Sequence, residues 1–134
     1  LALGFHLPLS TLIGDPDRQP SRFTAAAGPR FPGSIGVQTV FPFDPLLGSE
    51  TFLITLAPGQ EHLSEAHDAG VTEDVFVVEG AVELRLDGGW HPLGPGEALR
   101  FRADRPHGYR NPGGRPARFH NTIHYPRAAP PAGG

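Results

Sequence analysis

Histidine is the residue type in this chain with the most chemistry to offer. Seven of its 134 residues are histidines, and cysteine is absent, so thiolate chemistry and disulfides are excluded. Position sorts them. His6 belongs to an apolar opening segment, and His91 follows Trp90 at the start of a strand, a surface position. His120 and His124 share one strand face with Arg118 and Thr122, a face that is either outward or pocket-lining. His62, His67 and His107 fall at strand ends or in loops, where a barrel would open. Imidazole nitrogens converging there with a carboxylate oxygen from another strand could hold a divalent cation such as zinc, iron, manganese or nickel.

Such convergence needs a rigid frame, and the pattern from Ile35 onward supplies one. Residues 37–43 and 50–57 are rich in β-branched and aromatic side chains, with Asp44-Pro-Leu-Leu-Gly48 as a hairpin connection. Val75 to Val78 is an apolar run suited to a strand buried on both faces. Val82, Leu84 and Leu86 alternate with Glu83, Arg85 and Asp87, so one face is buried and the other wet. Asp87-Gly88-Gly89 supplies the positive-φ residues of a tight hairpin. Leu99 and Phe101 alternate with Arg100 and Arg102, and Phe119, Asn121, Ile123 and Tyr125 alternate with Arg118, His120, Thr122 and His124. Phe52, Phe76, Phe101 and Phe119 read as core. Many short strands with turn signals between them predict an all-β sandwich or barrel.

The flanks differ. Leu3, Leu7, Leu9, Leu12 and Ile13 lie near helical spacing, broken by Pro8, so residues 1–14 read as a short helical remnant. Residues 15–34 are rich in Pro, Gly, Arg and Ala and read as a linker or arm. The barrel occupies 35–126, and 127–134 is a flexible tail. The chain opens on Leu1 and contains no methionine, which reads as a piece of something longer. A net charge of −3 argues against nucleic-acid binding by this segment alone. No apolar run approaches the roughly 18 residues of a membrane span, and no signal peptide opens the chain. A cytoplasmic location is therefore expected.

Two stretches, Glu73-Asp-Val-Phe-Val-Val-Glu-Gly80 and His107-Gly-Tyr-Arg-Asn111, closely resemble the paired motifs of the cupins. The resemblance implies a double-stranded β-helix, or jelly-roll barrel, with ligand or metal in its mouth. The first cupin motif has the form Gly-x5-His-x-His-x3,4-Glu-x6-Gly, and the second Gly-x5-Pro-x-Gly-x2-His-x3-Asn. Glu73 and Gly80, His107 and Asn111, and Gly96 fit. Arg102 and Asp104 stand where the second motif has Pro and Gly. In the first motif, counting back from Glu73 puts His67 in the first histidine position and Ala69 in the second. Counting forward from Gly59 puts Glu65 first and His67 second. Either register keeps His67, Glu73 and His107 as metal ligands, with Glu65 as a conceivable fourth. The competing reading is a decayed site whose groups hydrogen-bond only a ligand or one another.

Longer segments, among them Leu93-Gly-Pro-Gly-Glu-Ala-Leu-Arg-Phe101 and Pro116-Ala-Arg-Phe-His-Asn-Thr-Ile-His-Tyr-Pro126, resemble the C-terminal sensor domain of bacterial XRE-type helix-turn-helix regulators. Residues 1–14 are similar to the end of the helix-turn-helix domain that precedes it. This resemblance implies a homodimer that binds DNA through an upstream domain and a small-molecule effector through the barrel. The implied effector contacts are His67, Glu73, His107, Tyr109 and Asn121. Arg100 is weaker, because alternation turns it outward. The rival is a metal-dependent cupin enzyme, an oxygenase, epoxidase or isomerase acting on a small polar substrate. Ala69 stands where such epoxidases carry a histidine, so the sensor reading is preferred and no catalytic residue is assigned.

Overall fold

The computed structural model describes residues 20–27 and 35–126, which form ten strands and, among the described residues, no helix. The strands are β1 (Ala26–Ala27), β2 (Ile35–Asp44), β3 (Ser49–Leu56), β4 (Glu61–Ser64) and β5 (Thr72–Glu79). They continue as β6 (Val82–Leu86), β7 (Gly89–Leu93), β8 (Ala98–Arg102), β9 (His107–Arg110) and β10 (Ala117–His124). The helical remnant at 1–14 and the tail at 127–134 lie outside the described residues. Within the expected linker, Ala26 pairs with Thr39 and Ala27 with Gln38 of β2.

The strands make two antiparallel sheets, one of order β1-β2-β3-β10-β5-β8 and one of order β4-β9-β6-β7. Non-consecutive neighbours such as β3-β10-β5 are the crossovers of a jelly roll, in which two sheets close over a shared core. That core is Leu56, Val75, Val77, Val82, Leu84 and Phe119, all buried, with Phe101, Tyr109 and Ile123 beside them. Each comes from an inward position of an alternating strand, so period-2 patterning set the face and burial followed.

Two expectations fail along β5. Val75 and Val77 are fully buried, but Phe76 and Val78 are 45% and 46% exposed. The strand is covered on one face only, so Phe76 is an outer-surface residue and not core. An unbroken apolar run does not say whether a second layer covers the strand, and here the outer face of β5 stays exposed. The hairpin expectations hold. Asp87 and Gly88 sit at φ 51° and 81° between β6 and β7, the left-handed pair of a two-residue turn. Trp90 is held beneath Arg110, whose guanidinium lies 3.8 Å from the ring centre.

Asn111 locks the end of β9. Its buried amide donates to the Leu56 carbonyl at 3.1 Å and the Arg115 carbonyl at 2.6 Å, and its oxygen accepts from the Gly113 N–H at 2.9 Å. Asn111→Ala leaves these groups unpaired and is expected to cost roughly 2–4 kcal/mol. Urea unfolding of the variant measures that loss.

Candidate functional site

The site forms where the two sheets face each other. Glu73 is the second residue of β5, in register with Phe101 of β8 and Ile123 of β10. His107 and Tyr109 stand two apart on β9 of the smaller sheet, and so share one face. Asn121 points inward from β10 and is buried. His67 lies in the loop after β4. That loop is pinned by the His67 N–H to the Ala103 carbonyl at 2.9 Å and the Ala103 N–H to the Val71 carbonyl at 2.8 Å. The Gly70 N–H adds a bond to Asp104 Oδ2 at 3.0 Å.

The two oxygens of Glu73 have separate tasks. Oε1 accepts from the Tyr109 hydroxyl, and from Asn121 Nδ2 at 2.8 Å. Oε2 lies 3.0 Å from His67 Nε2 and 3.0 Å from His107 Nε2. The three donor atoms of His67, Glu73 and His107 fall within 4.8 Å of one another. Tyr109 and Asn121 thus fix the carboxylate so that its other oxygen faces both imidazoles.

His107 carries the fit test for a metal. Its Nδ1 is 2.8 Å from the Arg105 carbonyl. A carbonyl only accepts, so Nδ1 bears the hydrogen and Nε2 presents a lone pair in the neutral ring. In that neutral form the buried Nε2 has no hydrogen-bond partner, although an acceptor oxygen stands 3.0 Å away. Two lone pairs at that distance call for a proton or a cation between them. Hydrogen bonding of the far ring nitrogen to a backbone carbonyl is the support a metal-ligating histidine takes. The donor set therefore fits a divalent cation.

Without a cation, a proton takes that place between the two groups. Burial pushes the Glu73 carboxyl up, but the protonated His107 ring, whose Nε2–H then donates to it, and hydrogen bonds from Tyr109 and Asn121 outweigh it and hold it below the ordinary 4.5. Burial pushes the His107 imidazole down, while Glu73 and the Arg105 carbonyl lift it above the ordinary 6.5. Burial and the Glu73 charge raise Tyr109 well above 10, so it remains a neutral donor.

The signs define a window. The stabilisation from a lowered carboxyl is complete above its unfolded value and is lost as pH falls through the folded one. The stabilisation from a raised histidine is complete below its unfolded value and is lost as pH rises through the folded one. Metal-free protein therefore keeps both contributions between pH 4.5 and 6.5. Metal requires the deprotonated ring, so metal affinity is expected to rise with pH above that window. Denaturation midpoints against pH, with and without added metal, check both slopes.

Glu65 does not join this group. It is exposed and continues the outward side of β4 shown by Glu61 and Leu63. Ala69 is exposed as well, so His67 is the one histidine contributed by the first motif. Arg100 points outward, as alternation predicts, and clamps Asp74 at 2.6 and 2.9 Å. His124 faces outward onto the same Asp74 at 2.9 Å, and His120 is exposed. Beside the three donors opens a cavity of about 210 Å³, lined by His67, Glu73, Tyr109 and Asn121 on its polar side. Phe52, expected in the core, is half-buried and lines it. His62, expected at the barrel mouth, lines it too, as does Ser64, which had no assigned role. The alternation of Glu61 to Ser64, with His62 and Ser64 on one side, was the available signal.

Two antiparallel sheets closed over a core, with two histidines and a carboxylate gathered together, define a small jelly-roll barrel. Residues 52–123 match the cupin domain model, and the chain belongs to the cupin family. It is 39% identical over 128 residues to the HTH-type transcriptional regulator SutR of Escherichia coli (strain K12), covering 96% of this chain and 70% of that protein. It is 46% identical to the crystallised cupin domain of an XRE family transcriptional regulator from Enterobacter cloacae. That match has a TM-score of 0.68 and covers 69% of this chain and 98% of the other. An HTH_3 family transcriptional regulator from Vibrio cholerae is 39% identical with a TM-score of 0.67, over 69% of this chain and 52% of that one. This is a cupin domain of the kind that XRE-family regulators carry.

Proposed function

We propose that this domain is the sensor of a bacterial transcriptional regulator. A divalent cation is held by His67, Glu73 and His107, and a small effector occupies the adjoining cavity. The observation that carries the reading is the convergence of His67, Glu73 and His107 donor atoms within 4.8 Å, beside a cavity that His67 and Glu73 line. Similarity to regulators supports the output side. DNA is contacted by a helix-turn-helix domain upstream of this segment, and a homodimer matches a two-fold operator. The cation supplies a positive centre that a ligand's donor atom can reach. Tyr109 and Asn121 orient the carboxylate, and the Arg105 carbonyl sets the His107 tautomer. Effector binding biases the placement of the DNA-binding domains, and the coupling is reciprocal.

The test is DNA binding by a protein carrying both domains, on promoter-proximal palindromic DNA, with and without metal and candidate effectors. Affinity that changes with either supports the reading. Absence of binding to any such DNA opposes it. A second reading keeps a specific observation in its favour: two histidines and one carboxylate are also the donor set of metal-dependent oxygenases. Turnover of a small acid by the metal-loaded protein would favour that reading instead.

A further inference from the structure

The cavity beside the three donors has two unlike walls. Ile35, Val37, Phe52, Ile54 and Ile123, from β2, β3 and β10, form an apolar wall. Opposite stand His62 and Ser64 of β4, two residues apart and so on one face. Their register is specific: His62 pairs with Tyr109, and Ser64 with the metal-ligand candidate His107. Cross-strand partners hold their side chains close enough to act on a common molecule.

Which polar groups remain free narrows the occupant. The Tyr109 hydroxyl and the Asn121 amide are already committed to Glu73. Among the described residues, neither the His62 ring nor the Ser64 hydroxyl has a hydrogen-bond partner. The chain contains no lysine, and no arginine lines this cavity. A phosphate or dicarboxylate would therefore bring more negative charge than the walls can meet. A sugar would leave hydroxyls against the apolar wall, unpaired at a cost of ~1–3 kcal/mol each. The volume, about 210 Å³, lies below the roughly 300–1,000 Å³ of drug-sized pockets.

Two neutral imidazoles and one carboxylate leave a divalent cation with a single uncompensated positive charge. One monoanionic oxygen head satisfies that charge and presents oxygens to two spare donors. We infer that the effector is a small apolar monocarboxylate. Its head meets the cation, His62 and Ser64, and its hydrocarbon body lies against the wall formed by β2, β3 and β10. This rests on the proposed metal-holding site, and it deepens that reading by assigning His62 and Ser64 as effector-contact residues.

Metal content is measured first, and nickel-loaded protein is then titrated calorimetrically with hexanoate, hexanol and succinate. The expected result is saturable hexanoate binding, with hexanol at least about tenfold weaker for loss of a charge-assisted bond and succinate without detectable binding. His62→Phe and Ser64→Ala should each weaken hexanoate by about tenfold while bound metal per chain stays unchanged. Hexanol equal to hexanoate, succinate tighter than hexanoate, or variants that bind hexanoate like the parent would each overturn the inference. Protein that holds nickel but ignores hexanoate sinks this inference alone. Protein that takes up no metal sinks the metal-holding reading and this one with it.

Discussion

Glu73→Ala is expected to abolish tight metal binding and to unfold more easily even without metal. The carboxylate is the acceptor for two buried donors, the Tyr109 hydroxyl and the Asn121 amide, and the partner of His107. Truncation orphans all three in a site where Glu73 itself is 1% exposed. Relief of the desolvated charge offsets part of the loss, because an unpaired buried carboxylate is costly. This carboxylate is well paired, however, by Tyr109, Asn121, His67 and His107, and those partners hold its pKa below the ordinary value despite the burial. The net cost is about 2–4 kcal/mol. Metal affinity should fall at least ~100-fold, since one of three ligands is gone. Glu73→Gln separates the two effects. Its remaining carbonyl still accepts from Tyr109 and Asn121, so stability falls less while metal affinity remains poor. Guanidinium unfolding and metal titration of both variants test this. Equal destabilisation by Ala and Gln would contradict the assigned role of Oε1.

The second large effect is at Gly80, between β5 and β6. Its φ is +75°, and a Cβ there would lie 2.7 Å from the Pro116 carbonyl oxygen and 2.9 Å from the Ala117 Cα. Both are backbone atoms leading into β10, the central strand of the larger sheet, so neither can swing aside. Gly59 has the same φ, +75°, with nothing within 4 Å of the added carbon. The pair is a built-in control. Gly59→Ala should cost only the left-handed strain, ~1 kcal/mol. Gly80→Ala adds the backbone clash and should cost roughly 3 kcal/mol or more, a midpoint drop of roughly 10–20 °C. Thermal melts of the two variants settle it, and similar losses would mean that the approach of β10 to Gly80 is not as tight as described. Gly108 is intermediate: the atom 2.7 Å from its added carbon is Leu63 Cδ2, the end of an exposed side chain that can rotate away, but the His62 carbonyl oxygen at 3.1 Å is backbone and must give.

Much of this architecture was legible because alternation carries a strand's orientation directly. Val82, Leu84, Phe119, Asn121 and Ile123 all face inward as their parity requires. Arg100 faces outward on the same rule. Asp87-Gly88 was readable as a turn because few other pairs accept positive φ at both positions. What was not legible depended on neighbours. Phe76 and Val78 are apolar yet exposed, since sequence does not say whether a second layer covers β5. The two registers of the first motif gave no choice between Glu65 and Ala69. The fold shows both exposed, because Glu65 follows the outward side of β4 and the loop turns at Gly70 with φ +87°. His62 was placed at the barrel mouth, but its strand and Ser64 escaped notice because four residues containing one leucine make too short a run to betray a strand. The orienting bond from His107 to the Arg105 carbonyl was equally invisible, being made to backbone.

The proposed sensor role requires His67, Glu73 and His107 to act together as ligands to one cation. The most direct test is metal analysis of the protein purified without chelators or affinity tags, as wild type and as His67→Ala. About one equivalent of divalent metal in the wild type, lost in His67→Ala while the variant stays folded, is the predicted result. A folded wild type that holds no metal and takes none up on titration would contradict it.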